Sequence, residues 1–305
     1  MLVLLELLRQ PQGNAFCSGK YGVLHPVPAI NFLAMPFGDL RRKLDQSLFY
    51  DWAMRCPAVL FSSFILYRDV LSFCQKVAHN PALFEHFNGA VLIAMLAQIS
   101  QWMFVFLLSI LPLFRLRPIA KSDEILPRVV PLIVTCVPPM FMLLERAPPD
   151  IAFNVPAVII ILLANVMAVA TVSFLGRSLS LMPEARKLVR IGPYGIVRHP
   201  LYLCEILGLC GIALQYRSLA AAGLLLLVIA LQVARGRWEE GVLARAFPDF
   251  AAYRSQTSFL IPPDPLRFLA SFVTGFAAQR RFALIVGSMV AVLALVATAL
   301  PRLIV

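Results

Sequence analysis

The chain has 305 residues, of which 60% are hydrophobic and 14% are charged, and its formal net charge is +11. Water-soluble domains average about 45 to 50% apolar and about 25% charged residues, so this composition excludes an ordinary soluble protein. The basic residues are grouped in short segments between apolar runs, which favours anionic lipid headgroups over nucleic acid as their counter-charge.

The first 55 residues have no regular pattern of apolar residues. The stretch from Tyr21 to Leu40 is apolar, but it contains Pro26, Pro28 and Pro36, which argue against one continuous helix. We expect residues 1–55 to form a segment that lies at the membrane interface or re-enters the membrane.

Four later stretches are long and apolar enough to cross a bilayer as helices, which takes about 20 residues. Two weaker stretches are also expected to span: one contains Arg68 and Asp69, and the other should be kinked by Pro138 and Pro139. The strong stretches are Gly89 to Phe114, Ile151 to Leu175, Ser218 to Ala234 and Phe282 to Val305; the weak ones are Pro57 to Lys76 and Arg128 to Leu144.

A further apolar stretch, Pro200 to Leu214, is too short to cross a bilayer alone. Only Gln215 to Arg217 separates it from the span that begins at Ser218, so the two stretches predict a helical hairpin. Together the elements predict an all-α fold, a polytopic transmembrane helical bundle with a helical hairpin in its C-terminal half. The number of spans stays open.

The distribution of Lys and Arg predicts the orientation, because these residues accumulate in cytoplasmic loops. Four segments contain 20 of them, whereas Arg146, Arg217 and Arg302 are the three on the opposite side. We therefore expect these four segments to be cytoplasmic: Arg41 to Arg55, Arg115 to Arg128, Arg177 to Arg198 and Arg235 to Arg281.

Polar residues cluster at the two predicted cytoplasmic ends of the hairpin. A residue before proline is disfavoured in the helical region, so His199 should be extended and Pro200 should begin the helix. Arg198 and His199 then lie beside free backbone N–H groups, which favour an anionic group. On the returning helix, Arg235 and Glu239 are four residues apart and share a face.

The order of these motifs resembles the isoprenylcysteine carboxyl methyltransferase family and its phospholipid methyltransferase relatives. The resemblance depends on GPYxxxRHPxY, from Gly192 to Tyr202, followed by an arginine, the pair Glu239 and Glu240, and an aromatic-rich tail. It covers roughly residues 176–263. Where these families usually have a polar cofactor contact and a His, this chain has Leu179 and Arg186-Lys187.

The resemblance implies S-adenosylmethionine as the cofactor and assigns residues to its site. Arg235 corresponds to the substrate-side arginine, and with Arg198 it is the candidate for the catalytic role. The implied cofactor-binding residues are Leu188, Val189, Tyr194, His199, Pro200, Tyr202, Glu239 and Glu240. No metal is expected, because a sulfonium methyl donor is already activated and the six cysteines show no CxxC spacing.

These assignments divide the chain into four expected parts. Residues 1–55 are the N-terminal segment, 56–150 the N-terminal transmembrane helices, 151–263 the membrane methyltransferase core, and 264–305 a C-terminal linker and transmembrane helix. We expect an integral membrane protein with its active site on the cytoplasmic side.

Three functions remain open. Two arginines near the site favour O-methylation of a carboxylate on a lipophilic, isoprenylcysteine-like substrate that enters from the bilayer, because guanidinium positions an ionised carboxylate and repels an ammonium. The alternative is N-methylation of a phospholipid amine headgroup, with His199 or Glu240 as the conceivable base. A membrane scaffold or transporter with Arg68 and Asp69 as a functional pair is the alternative that is not an enzyme.

Overall fold

The computed structural model describes residues 48–79, 89–122, 124, 126–148, 150–180 and 182–277. The expectations for residues 1–47 and for the span from Phe282 to Val305 concern residues outside these ranges. The described residues are mostly helical, which confirms the predicted fold class. The helices are α1 (Leu48–His79), α2 (Gly89–Ile110), α3 (Leu126–Met140), α4 (Ile151–Leu175), α5 (Pro200–Tyr216), α6 (Leu219–Ala246), α7 (Phe250–Gln256) and α8 (Pro265–Ala277).

Five of the described helical stretches are long and apolar enough to cross a membrane, by length and composition. They correspond to the predicted spans, and the shorter apolar helix Pro200–Tyr216 is the predicted first arm of the hairpin. In α3, Pro131, Pro138 and Pro139 lie inside one helix, which continues into a 3-10 turn at Phe141–Leu143. The five stretches are Arg55–Lys76, Val91–Phe114, Leu126–Leu143, Ile151–Ser178 and Leu219–Ala246.

The hairpin begins and turns as the sequence indicates. Pro200 is the first residue of α5, as predicted. His199 lies outside the helix, but its φ of −121° and ψ of 56° differ from the predicted extended conformation. Arg217 adopts the left-handed conformation with a φ of 47°, and the side chain of Ser218 accepts a hydrogen bond from the backbone N–H of Ala221 at 3.1 Å. These residues end α5 and cap α6, so the chain reverses direction within a short turn.

The helix α6 continues to Ala246, well beyond the predicted end of the span at Ala234. Hydropathy falls at Arg235 because charged residues begin there, but Arg, Glu, Leu and Ala are all good helix formers. The extension carries Arg235, Glu239 and Glu240 on continuous helix, and their relative positions are therefore fixed by helical geometry.

The helices pack in the spatial order α1, α2, α4, α5, α6, α3, and the contact between α4 and α5 is the most extensive. Gly211 on α5 makes part of this approach possible. A Cβ atom at this position would lie 2.8 Å from the backbone oxygen of Ala157 and 2.7 Å from a side-chain carbon of Ile161, both on α4. The two helices therefore need glycine here.

Two elements bring the loops together at one end of the bundle. The two-residue strands β1 (Ala120–Lys121) and β2 (Glu184–Ala185) pair antiparallel and join the loop after α2 to the loop after α4. Strands this short leave no periodic pattern in the sequence, so this pair was not predicted. Phe268 and Phe272 of α8 pack in one cluster with Phe174 and Tyr194, which holds α8 beside the 3-10 turn Gly192–Gly195.

Candidate active site

A cleft opens at this end of the bundle, where α5 begins and the last turns of α6 pass beside it. The segment after α7 holds the entrance to α5 in place, because Val197 and Ser258 form a parallel bridge. The backbone N–H groups of Arg198 and His199 donate to the carbonyl oxygens of Ser258 at 2.9 Å and Phe259 at 3.2 Å. The RHP motif is thus fixed by backbone hydrogen bonds.

Arg198 connects three parts of the site. Its Nε donates to Oε1 of Glu240 at 2.6 Å, and its Nη1 donates to the backbone oxygen of Arg254 at 3.0 Å and also to that of Thr257. The side chains of Arg198 and Glu240 are each only 9% exposed. The guanidinium therefore binds α6 to the segment after α7, and its charge is compensated within the protein.

His199 lies between the two acids and an aromatic neighbour. Its ring stacks on Tyr202, with centroids 5.1 Å apart and planes at 11°. Its Nε2 is 3.4 Å from Oε1 of Glu240, and its Nδ1 is 3.8 Å from Oε2 of Glu239. A Cβ at Gly236 would meet the ring of Phe259 at 2.8 Å and that of His199 at 3.3 Å. The absence of a side chain at Gly236 lets these rings lie directly against α6.

Tyr202 connects Glu239 to Arg235. The Tyr202 hydroxyl donates to Oε2 of Glu239 at 2.5 Å, and the guanidinium carbon of Arg235 lies 4.6 Å from the centre of the Tyr202 ring. His199, Tyr202 and Arg235 therefore form a continuous stack. Arg235 is 6% exposed and interacts electrostatically with Glu205 and Glu239.

The cleft is narrow, with a cavity volume of about 50 Å³. Seven of the ten residues assigned from the sequence line it, whereas Pro200, Tyr202 and Arg235 lie behind its wall. The seven are Leu188, Val189, Tyr194, Arg198, His199, Glu239 and Glu240. Glu239 has a side chain that is 32% exposed, so it can still accept hydrogen bonds from a ligand.

Two tyrosines form the wall opposite the acids. The Tyr253 hydroxyl donates to the backbone oxygen of Tyr194 at 2.7 Å. Burial raises the pKa of Tyr194 well above its ordinary value, and the nearby negative charge of Glu239 raises it further. Burial also raises the pKa of Tyr253, which Arg198 lowers in part. Both phenols are therefore protonated at neutral pH.

Some cleft residues were not assigned from the sequence. Glu184 and Arg186 line the cleft and form an ion pair with each other, and Arg115 approaches Glu184 to 3.8 Å. Ser178 and Phe250 also line the cleft. In the sequence, Arg186 departs from the family pattern. It is only 4% exposed, and this burial can be seen only in the structure.

The lining fits S-adenosylmethionine chemically. A partly exposed carboxylate, Glu239, suits the ammonium group or the ribose hydroxyls, and apolar and aromatic side chains from Leu188, Val189 and Tyr194 suit the adenine ring. The acids beside the cleft also favour a sulfonium cation.

Comparison with known proteins agrees with the motif resemblance. Residues 153–249 match the family model described as phospholipid methyltransferase, a stretch that includes α5, all of α6 and most of the cleft. The predicted resemblance to phospholipid methyltransferases is confirmed over these residues. The match does not extend to α1, α2 or α3.

Two curated proteins are similar to this chain over short stretches. The chain is 45% identical over 76 residues to the cobalt-zinc-cadmium resistance protein CzcN of Cupriavidus metallidurans, covering 25% of this chain and 35% of the relative. It is 38% identical over 80 residues to the nickel-cobalt-cadmium resistance protein NccN of Alcaligenes xylosoxydans xylosoxydans, covering 26% of this chain and 38% of the relative. The aligned stretches thus span little more than a third of either relative.

Proposed function

We propose that this protein transfers the methyl group of S-adenosylmethionine to the amine of a membrane phospholipid. The observation that carries the proposal is that the phospholipid methyltransferase match, residues 153–249, contains the hairpin and the paired acids that line the cleft. The helices beside this segment are long and apolar enough to cross a membrane, which is where such an acceptor is found.

The state of the two arginines supports an amine acceptor over the carboxylate acceptor that we preferred from the sequence. That preference required guanidinium charge to be available to a substrate anion. Arg198 donates to Glu240 at 2.6 Å, and Arg235 interacts with Glu205 and Glu239. Their charge is compensated by carboxylates of the protein, which leaves less of it to position a substrate anion.

Each group in the cleft has a proposed role in positioning. When bound, S-adenosylmethionine would supply a methyl group on a sulfonium that needs no further activation. The acceptor ammonium would first give a proton to a base, for which His199 and Glu240 line the cleft. The neutral amine would then take the methyl group as the carbon–sulfur bond breaks. Glu239, held by the Tyr202 hydroxyl, would bind the cofactor. Leu188, Val189 and Tyr194 would enclose its adenine and exclude water. Arg198 would keep the wall of the cleft in place as a positioning residue.

The position of the cleft is suited to an acceptor that stays in the bilayer. The acids lie at the end of α6, and the rest of α6 presents apolar side chains such as Leu226 and Leu227 on its exposed surface. We propose that the headgroup reaches the cleft from the membrane while its acyl chains remain among the helices. The concentration of basic residues in the loops at this end supports a cytoplasmic location.

The names of the two relatives refer to resistance to metals. Among the described residues, no group of three or more His, Cys, Asp and Glu side chains is arranged to hold a metal ion.

The proposal is tested by giving the purified protein, reconstituted in vesicles, labelled S-adenosylmethionine with either phosphatidylethanolamine or a prenylcysteine. Mild base hydrolyses a carboxyl methyl ester but leaves an N-methyl group intact, so it identifies the acceptor atom. We expect base-stable label in phosphatidylethanolamine. Base-labile label on prenylcysteine alone would show that the acceptor is a carboxylate.

A further inference from the structure

We infer that Glu205 and Gln232, inside the hairpin, form an entry subsite that holds the ammonium group of the acceptor lipid before it reaches the cleft, and that this subsite selects headgroups that still carry N–H donors. The inference rests on the proposed function and adds a substrate site that neither the motifs nor the family match assigns. Glu205 belongs to α5 and Gln232 to α6.

The two residues lie on facing polar stripes. On α6, Gln232, Arg235 and Glu239 are three and four residues apart and share one face. On α5, Tyr202 and Glu205 are three apart. Contacts join the stripes at both ends, since Tyr202 donates to Glu239 and Nε2 of Gln232 donates to Oε2 of Glu205. A polar path thus runs from the cleft into the apolar part of the hairpin.

The orphan oxygen of Gln232 is the independent sign of a ligand. Gln232 is 1% exposed, and its Oε1 is buried without a hydrogen-bond partner among the described residues. The same amide group donates to Glu205, which places Oε1 beside the carboxylate. A buried hydrogen-bond acceptor without a donor costs free energy. An ammonium group that donates to Oε1 of Gln232 and to the carboxylate of Glu205 would remove that cost.

The charge around Glu205 also favours a cation. Arg235 is shared between Glu205 and Glu239, so one guanidinium faces two carboxylates. Ionisable side chains at membrane depth are expensive and usually serve a function. An alkyl ammonium placed here would balance the second negative charge.

Glu205 is the more exposed member of the pair. It is partly exposed, whereas its neighbours Cys204 and Ile206 are buried. A headgroup entering from the surrounding lipid would therefore meet Glu205 before it reaches the buried Gln232.

This geometry predicts which headgroups bind. A primary or partly methylated ammonium carries N–H donors for the carboxylate and for the amide oxygen, whereas a trimethylated ammonium carries none. The site should therefore hold phosphatidylethanolamine more tightly than phosphatidylcholine, and the anionic phosphatidylglycerol should bind least.

The test uses the purified full chain in detergent. It measures the affinity of the protein for phosphatidylethanolamine, phosphatidylcholine and phosphatidylglycerol, each labelled with a fluorescent acyl chain. Glu205→Gln and Gln232→Met should each weaken binding of phosphatidylethanolamine by about tenfold or more, because each removes an oxygen that accepts from a charged group. Affinity for S-adenosylmethionine should stay within about twofold, since neither residue lines the cleft. Gln215→Met, on the same hairpin, is the matched control and should leave lipid binding unchanged.

The outcomes separate this inference from the proposed function. Equal binding of the three lipids by the wild type, or unchanged phosphatidylethanolamine binding in folded Gln232→Met, would overturn the ammonium site even where methyl transfer is observed. Selective binding that the variants abolish, without any methyl transfer, would support the site and contradict the proposed function. If Glu205→Gln does not fold, Glu205→Asp and Gln232→Met provide the same test.

Discussion

The hydroxyl of Tyr202 donates a hydrogen bond of 2.5 Å to Oε2 of Glu239, and this contact joins the two arms of the hairpin at the wall of the cleft. Tyr202 is 6% exposed, whereas the Glu239 side chain is 32% exposed. The buried partner therefore orients the one that is open to a ligand. A carboxylate held in this way is already ordered, so it loses little further conformational freedom when it binds a second group.

Removing the Tyr202 hydroxyl should weaken cofactor binding without unfolding the protein. In Tyr202→Phe the ring still stacks between His199 and Arg235, but Glu239 is no longer oriented. We expect affinity for S-adenosylmethionine to fall by about 3- to 15-fold, the range of one hydrogen bond, in calorimetric titrations. Tyr216→Phe is the control, because Tyr216 is buried in a different cluster at the far end of α5. Equal affinities in the two variants would contradict the role given to Tyr202.

Glu239 and Glu240 should differ in what they support. Glu240 contacts Arg198 at 2.6 Å, His199 at 3.4 Å and Arg254 at 3.6 Å, so Glu240→Gln leaves the buried Arg198 without its anion. We expect Glu240→Gln to lower the thermal midpoint, with a loss of about 2 to 3 kcal/mol in the free energy of unfolding.

Glu239→Gln should instead lower cofactor affinity, because it removes the charge that the cofactor would contact. The decrease should be limited to about 10- to 30-fold, because the carboxylate is partly exposed and screened by solvent. Its thermal midpoint should stay close to that of the wild type. Thermal unfolding and calorimetric titration of both variants measure the two effects. Reversed effects, with Glu239→Gln unstable and Glu240→Gln deficient only in binding, would assign the roles the other way round.

Replacing Arg235 with alanine should destabilise the protein, whichever acceptor the protein methylates. The family resemblance places Arg235 on the substrate side, and the structure adds the stack on Tyr202 and the two neighbouring acids. An unpaired buried charge costs about 3 to 5 kcal/mol, so stability and methyl transfer should both fall. In Arg235→Lys, stability and methyl transfer should both fall less than in Arg235→Ala. Arg237→Ala, exposed on the same helix, is the control, and a loss no larger than in that control would show that Arg235 is dispensable.

The sequence predicted the helices because their apolar runs have the length that a membrane requires. It predicted seven of the fifteen residues that line the cleft. Four of them, Arg198, His199, Glu239 and Glu240, lie at the two ends of one short hairpin, which brings them together. The pairing of Arg198 with Glu240 could not be predicted, because it depends on the position of the segment after α7. The orphan oxygen of Gln232 likewise depends on the register between α5 and α6.

Two glycines of the hairpin, Gly211 and Gly223, provide a test of the packing. A Cβ at Gly211 would meet backbone and side chain of α4 at under 3.0 Å, whereas a Cβ at Gly223 would meet nothing within 4 Å. Gly211→Ala should therefore lower the free energy of unfolding by about 1 to 3 kcal/mol. Gly223→Ala should raise it by up to about 1 kcal/mol, because alanine favours the helix. Equal shifts in thermal midpoint in detergent would contradict the close contact of α4 and α5.

The central claim is that the cleft beside the hairpin binds S-adenosylmethionine, and calorimetric titration of the purified full chain in detergent tests it most directly. We predict saturable binding at one site per chain, which is abolished when the protein is first saturated with S-adenosylhomocysteine and is unaffected by ATP. A monodisperse protein that unfolds cooperatively and yet gives no saturable heat with S-adenosylmethionine would contradict the account.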